Sequence, residues 1–354
     1  VTMTATNTTD TFEFLWQTTR QRNEARQIAA LLPRIPRGVQ AIGSSQLACQ
    51  LLLELDQWEV LADDPASTVY QATDARTGRD FAVKCLGQRL ARRPECGRLF
   101  EAEMATWAGL SHSGVPQLQG VGRLPDGRPF FVMDFVHGPT IAQWRQAVGG
   151  LKRSPLTSQD EGWHDALRKF AQCCRVVAHA HAREMLHADL NPANLILGAE
   201  RGYVLDWGAV RPVKGQHAWG HEPLQHPLAT PAYMSPEQAS GSANVGLSAD
   251  VYGLGAILYF MLTGRPPVQG QRLPEVRDLV CRGDFPSPRH VDGDIPLALD
   301  AICRKAMATV PVNRFANPME LASEIEAWAN QSPLQALTDR WGDWFVALST
   351  PTNV

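Results

Sequence analysis

Leu186-His187-Ala188-Asp189-Leu190-Asn191-Pro192-Ala193-Asn194 is followed at once by the apolar run Leu195-Ile196-Leu197 and, after a short polar turn, by Val204-Leu205-Asp206-Trp207-Gly208. Asp189 and Asn194 stand five positions apart on what reads as a loop, and Asp206 closes a strand ahead of a glycine. A carboxylate at Asp189 can accept a proton from an attacking hydroxyl. Asn194 and Asp206 offer the hard oxygen ligands that Mg²⁺ takes when substrate phosphates supply most of its shell. Either half alone has a plain reading, since a strand that ends in Asp is more often a turn or a helix cap. In this order and at this separation, the two halves point to a metal-phosphate site.

The composition permits such a site and narrows the partners. With 354 residues, 44% of them hydrophobic, the chain is long enough for a well-buried core and for two lobes of one catalytic unit plus tails. Its 33 basic and 36 acidic residues nearly balance, which argues against nucleic acid or a charged membrane surface as partner. The seven cysteines show no C-x-x-C spacing, so neither a disulfide framework nor a zinc site is expected, and reduced thiols are the default. No apolar run reaches the roughly 18 to 20 residues that span a bilayer, and the polar first ten residues lack a signal-peptide core. A cytoplasmic protein without a membrane span is the expectation.

Upstream of the loop the pattern is strand, turn, strand, turn, strand: Trp58-Glu59-Val60-Leu61, Thr68-Val69-Tyr70-Gln71-Ala72 and, after Thr77-Gly78, Asp80-Phe81-Ala82-Val83-Lys84. Phe130-Phe131-Val132-Met133-Asp134-Phe135-Val136 reads as a further strand running into a connector. Helical patterns cover residues 98–110, 161–184 and 318–328, and another begins at Ser248. Asp250 near that start has the plain reading of a helix cap.

These pieces together resemble the protein kinase family. The loop and Asp206 resemble its catalytic loop and Asp-Phe-Gly element, and Phe81-Ala82-Val83-Lys84 resembles its V-A-I-K strand. Ala229-Thr230-Pro231-Ala232-Tyr233-Met234-Ser235-Pro236-Glu237-Gln238 resembles the G-T-P-x-Y-M-[AS]-P-E-Q run of bacterial-type (Hanks-type) serine/threonine kinases. The resemblance implies an α+β, bilobal protein-kinase-like fold. A small antiparallel sheet and the hinge would fill residues 58–136, and a mainly helical lobe residues 137–330. A partly disordered extension with helical segments over 1–57 and a tail over 331–354 would flank them.

The same resemblance implies ATP and Mg²⁺ as cofactors and a protein Ser or Thr hydroxyl as acceptor. Asp189 would be the base, with Asn194 and Asp206 on the metal and Thr230 bonding near Asp189. Lys84 would meet the α and β phosphates, held by an ion pair with Glu103; Glu101 is the competing partner. Val69 and Ala82 would roof the adenine, Met133 would guard the pocket behind it, and backbone groups of Asp134 and Val136 would bond its edge, with further nucleotide contacts at Ala62 and Ile196. Asp250 would tie down the catalytic-loop backbone, and Arg314 would pair with Glu237.

Several departures stand against this pattern. Where the family carries G-x-G-x-x-G-x-V, the chain reads Ala62-Asp63-Asp64-Pro65-Ala66-Ser67-Thr68-Val69, so all three glycines are replaced and two carboxylates are added. Glycine there lets backbone N–H groups approach phosphate and adopt positive φ. Ala188 and Asn191 replace the family's Arg and Lys. Residues 207–229 contain no Ser, Thr or Tyr, so phosphorylation of that segment is not the expected switch. The alternative reading is therefore a pseudokinase, a signalling partner that binds proteins without useful turnover. Oligomeric state is not encoded in any feature of the sequence.

Overall fold

The structure is a computed structural model that describes residues 55–330 apart from 64–66, 94–95, 98–99, 102–103, 105–106, 125, 150–160, 208–210, 213–230, 243 and 271. The chain divides into two compact units, one containing residues 1–109 and 116–135 and the other residues 110–115 and 136–354.

In the first unit, strands β1 (Leu55–Asp63), β2 (Ser67–Asp74) and β3 (Asp80–Leu86) precede a short helix α1 (Gln88–Ala91), then β4 (Leu118–Arg123) and β5 (Pro129–Asp134). They form one antiparallel sheet in the order β1-β2-β3-β5-β4. The first strand starts at Leu55, three residues before the Trp58 expected from its apolar letters, because Leu55 and Asp56 already pair with Asp74 and Thr73. Strand alternation then sorts the side chains. Tyr70, Ala72, Phe81, Val83, Cys85, Phe130 and Val132 turn into one apolar cluster with Leu55 and Leu124. Their neighbours in the register face the other way, and Phe131 on that second face meets Phe100 and Trp107 at ring-centroid distances of 5.4 and 5.1 Å. Trp107 also donates its indole N–H to the Pro116 carbonyl, so its polar edge is satisfied inside the core.

The second unit is mainly helical. Helices α2 (Ile141–Gly149) and α3 (Glu161–His181) lead to β6 (Met185–Leu186), β7 (Leu195–Leu197), β8 (Gly202–Val204) and β9 (Arg211–Pro212). After these come α4 (Pro236–Ala239), α5 (Ser248–Thr263), α6 (Leu273–Arg282), α7 (Pro288–Val291), α8 (Leu297–Ala306) and α9 (Pro318–Ala329). Apolar residues almost encircle α5, and it is buried over nearly its whole length, the behaviour of a helix at the centre of a domain. It stops at Gly264, whose φ of 74° lets the chain leave in the left-handed conformation. The helix expected over 161–184 ends at His181; Glu184, at φ 59°, turns the chain into β6. Arg314 secures the far end of the unit. It is fully buried, forks onto both Glu237 oxygens at 2.7 and 2.8 Å, and donates to the carbonyls of Ala308, Ser248 and Thr309.

Candidate active site

The segment carrying Asp189 runs between β6 and β7, and its backbone is held by side chains from elsewhere in the second unit. Asp250, in the first turn of α5 and 2% exposed, accepts the His187 N–H at 2.8 Å and the Ala188 N–H at 2.9 Å. Its plain reading as a helix cap fails, since the cap position is Leu247 and no side chain caps there. His181 Nε2 lies 2.8 Å from the same carboxylate. Burial alone would raise the Asp250 carboxyl, but the hydrogen bond and charge of His181, with His187 beside it, outweigh that and hold it below its ordinary value.

His187 is fully buried, and its Nε2 lies 3.0 Å from the Leu205 carbonyl, which can only accept. Nε2 therefore carries the proton, leaving Nδ1 to receive the Asp189 N–H at 3.4 Å. Burial lowers the His187 pKa despite the opposing pull of Asp250 and the Leu205 carbonyl, and so favours this neutral form.

On the other side of Asp189, its carbonyl accepts from Asn194 Nδ2 at 3.0 Å and from Asn191 Nδ2 at 3.3 Å. An amide fixed through its NH₂ presents its oxygen elsewhere, so Asn194 Oδ1 is the atom it can offer a cation. The β7–β8 hairpin brings the two expected metal ligands together: Leu195 pairs with Val204, the Leu205 N–H donates to the Asn194 carbonyl at 2.7 Å, and Asp206 is the next residue. Asp206 has φ 56°, a left-handed conformation that costs a non-glycine residue roughly 1 to 2 kcal/mol. Trp207 follows, fully buried, with its N–H on the Val204 carbonyl and its ring 4.7 Å from His187. Ile196 is buried in β7, and Thr140 forms an isolated bridge with it. Among the described residues no three His, Cys, Asp or Glu side chains cluster as a metal cage. What the two expected ligands have to offer is one amide oxygen and one carboxylate.

In the first unit, the register puts the expected nucleotide-facing residues on one face of the sheet. Ala62 pairs with Val69, Val69 with Lys84 and Ala82 with Met133. All lie opposite in direction to the apolar cluster, and Lys84 is only 9% exposed. Lys84 also stands opposite Phe131, the residue that receives Phe100 and Trp107, so those two rings pack on the lysine's face. Glu101 is not the partner that the alternative required: its carboxylate pairs with Arg123. Glu103 and Thr230 lie outside the described residues, as do Asp64, Pro65 and Ala66. Asp134 ends β5 with its N–H given to the Gln117 carbonyl and its carboxylate taken by Arg79 and Gln119, both at 2.7 Å. An adenine contact from Asp134 would therefore use its carbonyl. Val136 belongs to the second unit and lies outside any strand.

Two anchors of the Asp189 segment have no role assigned from the sequence: His181 carries no signal that separates it from ordinary polar residues, and Gln238 is a letter of the docking run. They act through partners 69 and 50 positions away.

The chain belongs to the protein kinase domain family, whose pattern it matches over residues 64–309. It is similar to serine/threonine-protein kinase PknB of Mycobacterium tuberculosis, with 33% identity over 292 residues covering 79% of this chain and 44% of that protein. It is also similar to the DNA damage-responsive serine/threonine-protein kinase RqkA of Deinococcus radiodurans, 31% identical across 76% of this chain and 38% of that protein. The probable serine/threonine-protein kinase SCO3848 of Streptomyces coelicolor is 30% identical across 78% of this chain and 40% of its own length. The chain thus spans less than half the length of these curated relatives.

Proposed function

We propose that this chain transfers the γ-phosphoryl group of ATP to a Ser or Thr hydroxyl of a protein. The observation that carries the reading is the backbone of Asp189, fixed on both sides by buried polar groups and joined to an Asn194 amide whose oxygen is left to bind a cation. Asp189 accepts the proton as the acceptor oxygen bonds to the γ-phosphorus and the bond to the bridging oxygen of ADP breaks. Asn194 Oδ1 and the Asp206 carboxylate hold Mg²⁺, which when bound supplies positive charge to the phosphates. Lys84, nearly buried on its sheet face, adds a fixed positive charge for the α and β phosphates, where a low-dielectric setting strengthens it. Glu103 is its proposed partner. In a continuous helix at 100° per residue, position 103 would share a face with positions 100 and 107, whereas Glu101 pairs with Arg123. Ala62, Val69, Ala82, Met133, Ile196 and backbone groups of Asp134 and Val136 are proposed to contact the nucleotide, and Thr230 to bond near Asp189.

The docking run ends in a well-made element. Ser235 and Gln238 form a reciprocal capping box at α4, and Tyr233 and Met234 are mostly buried ahead of it, which suits a fixed platform for an acceptor peptide. The six described cysteines are free thiols, in keeping with a reducing cytoplasm. No described helix is long and apolar enough to cross a membrane.

The pseudokinase alternative rests on the substituted hairpin tip and on Asn191. The latter side chain turns inward, accepting the Ala193 N–H at 2.9 Å, so it braces the loop instead of reaching outward as the family's lysine does. Purified protein with labelled ATP and Mg²⁺ separates the two. Phosphate incorporation that disappears in Asp189→Ala supports the enzyme; an inert wild type whose melting temperature ignores ATP and Mg²⁺ supports the scaffold.

A further inference from the structure

Ala188 is one of four described non-glycine residues with positive φ, at 65°. Both of its backbone polar groups are taken. Its N–H goes to Asp250, and its carbonyl accepts from Gln238 Nε2 at 2.8 Å. That carbonyl and the Asp189 N–H belong to the same planar peptide group, so whatever holds the one orients the other and sets the direction in which the Asp189 side chain leaves the backbone. Gln238 is 7% exposed and is itself fixed: its Oε1 receives the Ser235 N–H at 3.0 Å, and its own N–H reaches Ser235 Oγ at 3.4 Å. Ser235 is fully buried. The bond that aims the Asp189 peptide therefore starts in the capping box that closes the docking run, and both of its ends are neutral.

We propose that Gln238 is a positioning residue for phosphoryl transfer, which holds the Ala188–Asp189 peptide so that the base is aimed without any phosphorylated partner. Two features of the chain agree with this. Ala188 has no side chain with which to reach a phosphate, and residues 207–229 offer no hydroxyl to phosphorylate. The strained φ of Ala188 adds a reason for a clamp, since an unheld alanine would relax towards negative φ and turn Asp189 with it.

The proposal rests on the kinase reading above, and the test keeps the two apart. The full chain is assayed with ATP, Mg²⁺ and myelin basic protein as a generic acceptor. Gln238→Leu keeps the bulk and loses the bond; its kcat is expected to fall by about 10- to 100-fold with the KM for ATP within about twofold of wild type. Gln238→Glu keeps the oxygen for Ser235 but places a second oxygen against the Ala188 carbonyl, where only a protonated carboxyl can donate. Burial favours that neutral form, so its activity as a fraction of wild type should climb as pH is lowered from about 8 to about 6. This pH signature also carries the test if Gln238→Leu does not fold. An active wild type with full kcat in Gln238→Leu overturns the positioning role alone, as does a Gln238→Glu fraction that stays flat with pH. An inert wild type overturns the kinase reading and this role with it.

Discussion

The tip of the β1–β2 hairpin and the segment carrying Asp189 both lack residues that the family's motifs contain, yet they are built on different principles. At the hairpin the described residues on either side of the tip lie in ordinary antiparallel pairing, Asp63 opposite Thr68, with the Thr68 hydroxyl on the Asp63 carboxylate at 2.9 Å. Its fitness for phosphate depends on backbone freedom, which the replacement of glycine reduces directly. Around Asp189 the backbone is not free at all. Asp250 takes two of its polar groups and Gln238, His187 and Asn194 one each, so losing an Arg and a Lys from the loop leaves its conformation determined. Loss of a permissive residue weakens a site whose shape is local, whereas a site shaped by distant side chains tolerates changes within the loop.

The largest effect expected from this comparison is at Asp189. Asp189→Ala should lower phosphoryl transfer by about 10³-fold, or about 4 kcal/mol on the barrier, with the fold intact by circular dichroism. A loss under tenfold would place the base elsewhere.

Next in size is Arg314→Ala. The change leaves Glu237 buried without its partner, removes three carbonyl contacts and empties the space over Tyr252, so urea denaturation should show a loss of about 3 to 4 kcal/mol. The first unit's sheet should keep its own signal; a change of less than 1 kcal/mol would make the pair a surface ornament.

Acid should then undo the second unit in two stages. Burial keeps His187 neutral in the fold, and burial together with neighbouring positive groups lowers His112 and His179 likewise. The unfolded chain takes up these protons below the ordinary histidine value of 6.5, so stability present above that pH declines as pH falls beneath it. Glu237 follows. Burial would raise its carboxyl but the Arg314 bonds outweigh this, so its contribution is complete above its ordinary value of 4.5 and is lost as pH falls through the lowered one. A flat urea midpoint between about pH 7 and pH 5 would contradict the first stage.

The smallest effect belongs to the hairpin. Asp64→Gly restores backbone freedom and removes one charge, and should tighten ATP binding by a few fold, under about 1 kcal/mol, because one charge acting through water and salt is screened. Calorimetric titration that shows no change would mean that this tip does not face phosphate, and the contrast between the two regions would lose its functional meaning.

Much of the site could be read from the letters because its chemistry sits in short stretches. Ala82 and Lys84, two apart on one strand, share a face by alternation, whereas Val69 joined them and Asn194 joined Asp206 only through the resemblance; the register and the β7–β8 hairpin are what the structure adds. The anchors were legible to different degrees. Asp250 and Arg314 could be assigned roles through the family's pattern; Gln238 is a letter of the docking run but had no role attached to it, and His181 had no signal at all, since polar residues at a helix end are common everywhere. The spacing to His112 and the helical period already favoured Glu103 over Glu101, and the structure adds that the Glu101 carboxylate pairs with Arg123, 22 positions away.

The chain's own order of residues determined its first three strands, the strand-rich stretch followed by helical patterns, the donor groups available to a cation and the loss of glycine at the hairpin, because each of these follows from neighbours in sequence. Only the tertiary structure decided the protonated nitrogen of His187, the direction of the Asn194 amide and the hold on the peptide before Asp189. The first and the last depend on partners 18 and 50 positions away, and the second on how the loop folds back onto the Asp189 carbonyl; such hydrogen bonds leave no periodic trace in the sequence.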